Sequence, residues 1–571
     1  MEFSLFFPEN FERNSNTMNS ECLNDLSIEF LLDALTENKN ERIVLSKLMS
    51  EICPDPEVIR YRGGVFEDFY KHKELRRAME ELIPRLADLR DIERFQKDQE
   101  GSALWSLVNR LREIDEYVNC ITSLKNTLEK LDIQSDGMKR LRELVTEIDR
   151  DSGFDELRAD MDETFEKVRR LRSITIGVNL DELLRPKTAG IVSLNDTEFK
   201  DSGLMRRFMN FVDKKELNEG VNTGEKTMFH PANPSTSRLE FGAVVGTGFT
   251  NDLRTETTAA TGSDNISNAI KKPVTDIMKK TVSDIKSTLK RYVNISGYAL
   301  INLMPEILFY ARWAELIERI SAAGMPVCKA EIRDAEERYC SIKELYNLKL
   351  AVNKSNGEDI NIITNDFDFN DERRIYILTG PNRGGKTIFT QAVGLMFLLA
   401  QWGVYVPASK AVLSPVDNIF THFPADENDT VDLGRLGEES KRLSEIFDTA
   451  TDKSLLLLNE SLATTSVAEG LFIAKDVVMA MRYLGVRAVF NTHMHDLARS
   501  LDEFNAAEGK SRVESLITGV HDGERSFKVS IAPPQGVSYA KDIAVKYGVT
   551  YDIIKGKIDK KSGQWSVISG Q

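Results

Sequence analysis

Long apolar runs are missing from this sequence. The longest, at residues 394–400 and 454–458, fall far short of the roughly 20 residues needed to cross a bilayer. The opening Met1-Glu2-Phe3-Ser4-Leu5 has neither the basic patch nor the apolar stretch of a secretory signal. Both absences predict a cytoplasmic protein with no membrane partner. Cysteine is scarce. Cys22, Cys53, Cys120, Cys328 and Cys340 are scattered and none forms a CxxC pair, so reduced thiols are expected and a structural zinc site is not. Six histidines show no metal-ligand spacing except His493-Met494-His495, and a two-residue separation is a poor helical metal pair. Positive charge is also short. With 75 Lys and Arg against 90 Asp and Glu, the net charge is −15, which excludes a surface coated uniformly for nucleic acid but not a local basic face. Lys271, Lys272, Lys279, Lys280, Lys286, Lys290 and Arg291 are candidates for such a face. With Asp276 and Asp284 among them, a solvated helix surface accounts for them equally well.

What is present is ordinary globular material: 571 residues, 41% hydrophobic and 29% charged, too long for one core and sized for two or three domains. The first half reads helical. Leu104, Leu107, Val108, Leu111, Ile114, Val118, Ile121, Leu124, Leu128 and Leu131 step by three or four residues, one face of a long rod-like lever without Pro or Gly. Phe154, Leu157, Met161, Phe165, Val168 and Leu171 repeat the pattern after a break at Asp151-Ser152-Gly153. Residues 174–179 alternate like a short strand, and residues 242–268, rich in Gly, Thr, Asn and Ser, read as a long loop or hinge. Helical character returns from about 270 to 323. From about residue 348 the texture is α/β, with apolar strand-like runs at 375–378, 455–458 and 486–490 separated by helical stretches. That order implies a mostly parallel, buried sheet. The expected organisation is multidomain α and α/β: an N-terminal helical segment (1–60), a helical core or lever region (61–335) with an inserted segment at about 180–270, and an α/β domain (336–571).

The strongest chemical signal is Gly380-Pro381-Asn382-Arg383-Gly384-Gly385-Lys386-Thr387. It fits GxxxxGK[ST] with a strand-like run before it and a helix after it. Glycines there let backbone N–H groups turn inward around phosphate oxygens, and the helix N-terminus adds partial positive charge. Lys386 is assigned to the β- and γ-phosphates and Thr387 to Mg²⁺. The run Leu455-Leu456-Leu457-Leu458 ends in Asn459-Glu460. Glu460 is the candidate for polarising the attacking water. Asn459 stands where such sites carry an Asp for the Mg²⁺ shell; its carbonyl accepts from a metal-bound water but adds no charge, which predicts weaker metal binding. His493, just past the third run, is placed to contact the γ-phosphate.

Together these residues resemble the MutS family, whose loop is written TGPNxxGK[ST], as in Thr379-Gly380-Pro381-Asn382 through Gly385-Lys386-Thr387. Gly403-Val404-Tyr405-Val406-Pro407-Ala408, Asn491-Thr492-His493-Met494-His495-Asp496-Leu497 and Gly536-Val537-Ser538-Tyr539-Ala540 extend the likeness over about 340–555. Over 60–330 it is looser, carried by Arg60-Tyr61-Arg62, Leu82-Ile83-Pro84 and Ile176-Gly177-Val178-Asn179-Leu180. The resemblance implies an ABC-like P-loop ATPase domain, ATP and Mg²⁺ as cofactors, and a homodimer. Each ATP would lie between one subunit's loop and the partner's signature segment, here Leu433-Gly434-Arg435-Leu436-Gly437-Glu438-Glu439. That segment departs from the family's Ser-Thr-Phe. Residues 459–466 depart from Asp-Glu-x-Gly-Arg-Gly-Thr-Ser and keep only Glu460, Thr465 and Ser466.

Mismatch-repair members read DNA with Phe-x-Glu; Phe7-Pro8-Glu9 and Phe154-Asp155-Glu156 match those letters in the wrong contexts. The expectation is therefore a MutS-like ATPase without the mismatch-reading domain and without an Smr tail. Three functions stay open. The first is a dimeric ATP-dependent clamp on mismatched or branched DNA in repair or recombination. The second is a nucleotide-switched interaction protein on ribosomes or another complex. The third is a weak or inactive ATPase scaffold.

Overall fold

A computed structural model describes residues 3–9, 11, 14–95, 104–150, 172–180, 182–183, 186–195, 197, 230–231, 302–381, 383–424, 434–462, 467–521, 524–534, 545 and 547–558, with isolated positions 156, 159–160 and 283. The chain divides into two compact units. One comprises residues 1–77, 131–141 and 305–571; the other comprises 78–130 and 142–304. The fold is mixed helical and α/β, with mixed sheets. Among the described residues no helix is long and apolar enough to cross a membrane, and no cluster of His, Cys, Asp and Glu could hold a metal ion. None of the five cysteines forms a disulfide.

The first unit opens with short helices whose starts are written in the sequence. Asn19 caps α1 (Ser20–Asp25) by accepting from Cys22 N–H. After α2 (Ile28–Leu35), Asn38 caps α3 (Lys39–Met49). Asp55 caps α4 (Pro56–Lys71), where Pro56 fills a first-turn position that needs no donor. Helix α5 (Lys73–Phe95) follows. Strands β1 (Asn16–Thr17) and β2 (Glu51–Ile52) pair antiparallel.

In the second unit, α6 (Leu104–Lys130) realises the long helix that the heptad-like spacing predicts. Val118, Ile121, Leu124 and Leu128 form its buried stripe. Lys125 pairs with Asp149 of α7 (Asp136–Arg150) at 2.7 Å. Strands β3 (Ser173–Leu180) and β4 (Pro186–Asn195) make an antiparallel hairpin, with β5 (His230–Pro231) beside β4. The expected strand at 174–179 lies inside β3. The glycine-rich stretch 242–268, the basic candidates from Lys271 to Arg291 and nearly all of the 154–171 pattern lie outside the described residues.

Helix α8 (Met304–Ala322) returns the chain to the first unit. Its Ile307, Phe309, Tyr310, Trp313, Leu316, Ile317 and Ile320 are buried, with rings of Phe69 and Trp402 against Tyr310 and Trp313. A four-stranded sheet, in order β6-β10-β7-β8, combines β6 (Glu331–Ile332), β7 (Cys340–Leu345), β8 (Asn365–Phe369) and β10 (Lys410–Leu413). Between β7 and β8 lies α9 (Leu348–Ser355).

The sheet that positions the site has six strands in the order β11-β12-β13-β9-β14-β15. They are β9 (Arg373–Thr379), β11 (Ile419–His422), β12 (Leu455–Asn459), β13 (Arg487–Asn491), β14 (Arg512–His521) and β15 (Glu524–Ile531). The first four pairings in that order are parallel, and β14 with β15 is antiparallel. Helices α10 (Lys386–Gln401), α11 (Gly434–Thr449) and α12 (Val467–Leu484) supply the crossovers; short α13 (His495–Arg499) and α14 (Leu501–Ala506) precede β14.

β12 and β13 are buried at every position, as continuous apolar runs between helices require. At the start of β13, fully buried Arg487 donates to the carbonyls of Ser414, Pro415 and Lys453, so its charge spans three chain segments under the sheet. Helix α10 lies tight against both β12 and the N-terminal segment. A side chain at Gly394 would come within 2.7 Å of Leu457 and of Leu26. Gln391 donates to the Asp25 carbonyl, Gln401 to that of Cys53, and the Trp402 indole to that of Glu51.

Candidate functional site

Parallel pairing brings the carboxyl ends of β9, β12 and β13 to one sheet edge. In register, Leu378 lies beside Asn491 and Asn491 beside Asn459, so β13 stands between the loop strand and the strand that carries Glu460. Polar groups collect where each apolar run ends, which is why the site forms at this edge.

The loop leaves β9 through Gly380, whose φ of +149° is open to glycine. A Cβ there would lie 2.0 Å from Thr518 Oγ1 of β14, so the loop backbone rests directly on that threonine. Arg383 (φ +60°) and Gly385 (φ +86°) are left-handed and turn the chain into α10, with Gly385 as its N-cap. Asn382 lies outside the described residues. Pro381 accepts from Gly384 N–H at 3.0 Å, closing the loop on itself. Lys386 is only 4% exposed, and its Nζ donates to the carbonyls of Gly380 (3.2 Å) and Pro381 (3.3 Å). Burial pushes its ammonium below the ordinary lysine value, and the Glu460 carboxylate opposes that shift. A buried cation facing left-handed backbone, at the N-terminus of a 16-residue helix, has the chemistry of an anion cradle.

Thr387 Oγ1 donates to Asn459 Oδ1 at 2.9 Å, and Asn491 Nδ2 donates to the same oxygen. The three residues thus tie α10, β12 and β13 together at one point. Glu460 follows in a left-handed conformation (φ +51°), its N–H bonded to the Asn491 carbonyl at 2.7 Å. His493 is exposed just past β13, after Thr492, whose N–H bonds to the Leu378 carbonyl. Thr465, Ser466 and Leu433 lie outside the described residues.

Several residues at this edge have no local sequence signature. Thr518 is buried under the loop and its hydroxyl has no hydrogen-bond partner. Phe527 on β15, 43% exposed, would be 3.2 Å from a Cβ on Gly385. His495 is held toward its neutral form by burial, by Arg499 and by Lys386. At the end of β11, His422 Nδ1 is 2.7 Å from Ser461 Oγ, and Nε2 is 3.2 Å from the Glu439 carbonyl. Only long-range pairing brings these groups in; the general rule that site residues gather at parallel strand ends is the one signal that points to His422.

His422 carries a pH prediction. Burial, and then the Arg442 charge, push its imidazole down to about 4. Unfolded, it returns to about 6.5. Between these values the unfolded chain binds the proton that the folded one refuses. Stability is therefore fully present above about pH 6.5 and is lost as pH falls toward 4, by at most about 3 kcal/mol. Urea midpoints at pH 7.5 and 5.0 are expected to differ more for the parent than for His422→Gln; an equal pH dependence in both would exclude His422 as the source.

Two family models match this chain: MutS domain V over residues 376–547 and the MutS2 N-terminal domain over residues 54–323. Among curated proteins, the DNA mismatch repair protein MutS of Chlorobium chlorochromatii is 33% identical over 201 residues, covering 35% of this chain and 22% of that protein. The same-named protein of Chlorobium phaeobacteroides is 39% identical over 196 residues, covering 32% of this chain and 22% of that protein. DNA mismatch repair protein MutS 2 of Haloarcula marismortui is 34% identical over 185 residues, 32% of this chain and 19% of that protein. The matched part spans under a quarter of the length of these relatives.

Proposed function

We propose, from the premise that this chain belongs to the MutS family, that it binds and hydrolyses ATP and uses the cycle to work a dimeric clamp on mismatched or branched DNA in repair or recombination. The observation that carries the reading is the convergence at one sheet edge of buried Lys386, the Thr387–Asn459 hydrogen bond and Glu460. The names of the relatives, all DNA mismatch repair proteins, support the choice of DNA as partner.

In this reading the backbone N–H groups between residues 380 and 387, Pro381 having none, and the Lys386 ammonium hold the triphosphate. Nζ exchanges its two carbonyl acceptors for β- and γ-oxygens. Mg²⁺ supplies charge neutralisation of the phosphate oxygens when bound, with Thr387 Oγ1 and Asn459 Oδ1 as the residues that would hold it, the latter through water. The donor set fits a magnesium ion kept mostly in its own water, since it offers one hydroxyl and one neutral carbonyl. Glu460 orients and polarises the attacking water, and His493 contacts the γ-phosphate from the end of β13. ATP bound between two copies, with α11 of the partner closing over it, would bring the ATPase units together and drive the helical half.

The neutral Asn459, already engaged by Thr387 and Asn491, favours slow turnover as a second reading: a clamp held mainly by ATP binding.

The test is a binding panel of homoduplex, mismatched and branched DNA with and without ATP at several salt concentrations. Clamp binding is expected to be ATP-dependent and to weaken at least about tenfold between about 50 and 200 mM salt, because phosphate contacts release counterions. ATP turnover with no DNA binding, together with co-sedimentation on ribosomes, would replace this reading by a nucleotide-switched interaction protein.

A further inference from the structure

The Glu460 turn is held by contacts that the ATP chemistry does not itself require. Both Glu460 (φ +51°) and Leu462 (φ +63°) are left-handed without being glycine, a conformation that persists only where surrounding contacts impose it. Five contacts do so. Glu460 N–H bonds the Asn491 carbonyl. The Leu462 side chain is sunk in the core among Leu458, Phe490 and Met494. Leu462 N–H donates to the Glu439 carboxylate of α11 at 2.5 Å. Between these, Ser461 Oγ is bound twice by one residue, to the His422 ring (2.7 Å) and to the His422 carbonyl (2.9 Å).

The protons can be counted. Ser461 has one hydroxyl hydrogen and a neutral imidazole has one N–H, whereas three contacts surround the ring and the hydroxyl. Both short contacts are satisfied together when Ser461 donates to the His422 carbonyl and Nδ1–H donates to Ser461. Nε2 then faces the Glu439 carbonyl without a proton, at 3.2 Å, the longest of the three. In either neutral tautomer the ring can bond Ser461, and the Glu439 carboxylate joins α11 to the turn through Leu462 N–H. Helix α11 is itself gripped from outside, since Arg442 donates to the Phe423 carbonyl (3.2 Å) and pairs with Glu21 of α1 (2.8 Å).

We infer that His422 is a positioning residue: through Ser461 it fixes the left-handed turn that aims Glu460, and with Glu439 it makes that aim depend on where α11 sits. Because α11 is the helix that the proposed dimer brings to the partner's nucleotide, a shift of α11 on closure reaches the hydrolytic carboxylate through Glu439 and Leu462, at the turn that Ser461 fixes. The inference rests on the ATPase reading for its consequence in turnover, but the turn's rigidity is measurable without it.

The test uses the full chain with Mg-ATP and the variants His422→Ala, His422→Asn, Ser461→Ala and the Ala/Ala double. Single-turnover hydrolysis is expected to fall about tenfold in each alanine variant, with the Kd for a fluorescent ATP analogue within about twofold of the parent. The double variant is expected to be no slower than Ser461→Ala, which already removes the ring contact that both share together with the bond to the His422 carbonyl that His422→Ala keeps. The asparagine variant, whose amide can still donate to Ser461, recovers most of the rate. In parallel, hydrogen exchange in the 455–462 segment is expected to quicken about tenfold in His422→Ala and in the milder Ser461→Ala, while residues 373–379 stay unchanged. Additive losses, a rise in Kd matching the fall in rate, or unchanged exchange would each overturn the role. If the parent fails to bind or hydrolyse ATP, the ATPase reading falls alone, and the exchange measurement still judges the turn.

Discussion

Lys386→Ala is expected to weaken binding of Mg-ATP by at least about a hundredfold while leaving the protein folded. The magnitude follows from what the ammonium does at its position. It is nearly sealed from solvent and already donates to two loop carbonyls, so it is desolvated before any phosphate arrives. Exchanging neutral carbonyls for charged oxygens gains charge-assisted hydrogen bonds of about 1.5–3 kcal/mol each, and alanine forfeits them; two such bonds amount to two decades or more in Kd. Stability should change little in the other direction. The charge that alanine removes is one that burial already disfavours, and the carbonyls it leaves belong to a loop at the sheet edge. Isothermal titration with ATP and a thermal melt separate the two effects. Near-parental affinity in a folded Lys386→Ala protein would remove the phosphate role from this loop and, with it, the engine of the proposed clamp.

The contrast between what the sequence discloses and what it hides follows the range of the interactions. Strands β9, β12 and β13 announce themselves because a strand buried on both faces must be apolar throughout, and each such run ends in the polar residues that form the site. Helix α6 is equally plain, since its apolar residues recur at helical spacing along its 27 residues, and Val118, Ile121, Leu124 and Leu128 among them are buried. The partner of β9 on the other side, β14, is not plain. Arg512, Glu514, Ser515, Thr518 and Gly519 interrupt its pattern, although it carries the threonine on which the loop rests.

The packing of the N-terminal helices on α10 is also silent in the sequence, because nothing local ties Leu26 to Gly394 or Gln391 to Asp25. His422 and Ser461 are 39 residues apart and meet only because β11 and β12 are neighbours in parallel register. Motif reading reaches the loop, Asn459 and Glu460, whose chemistry depends on adjacent residues. It misses the groups that aim them, whose chemistry depends on the sheet.

Glu460→Gln is expected to cut ATP turnover by about a hundredfold to a thousandfold with nucleotide binding retained, so that ATP stays trapped on the protein. Asn459 is neutral, so Glu460 is the one carboxylate that the end of β12 offers, and its field is what opposes the burial of Lys386. Glutamine keeps the size and the backbone bond to the Asn491 carbonyl, so the left-handed turn has no new reason to relax. It removes the negative charge and, with it, the ability to accept a proton from water. Binding should survive because the triphosphate is held from the loop, across β13 from this residue, by groups that the substitution does not touch. A filter-binding assay for retained ATP beside a phosphate-release assay gives both numbers from one preparation. Trapping would also lengthen the life of the ATP-bound clamp on DNA, so slower dissociation from a branched duplex should accompany it. Turnover that continues at the parental rate in Glu460→Gln would mean that the water is activated by another group. His493, exposed at the next strand end toward the loop, would then be the first residue to replace.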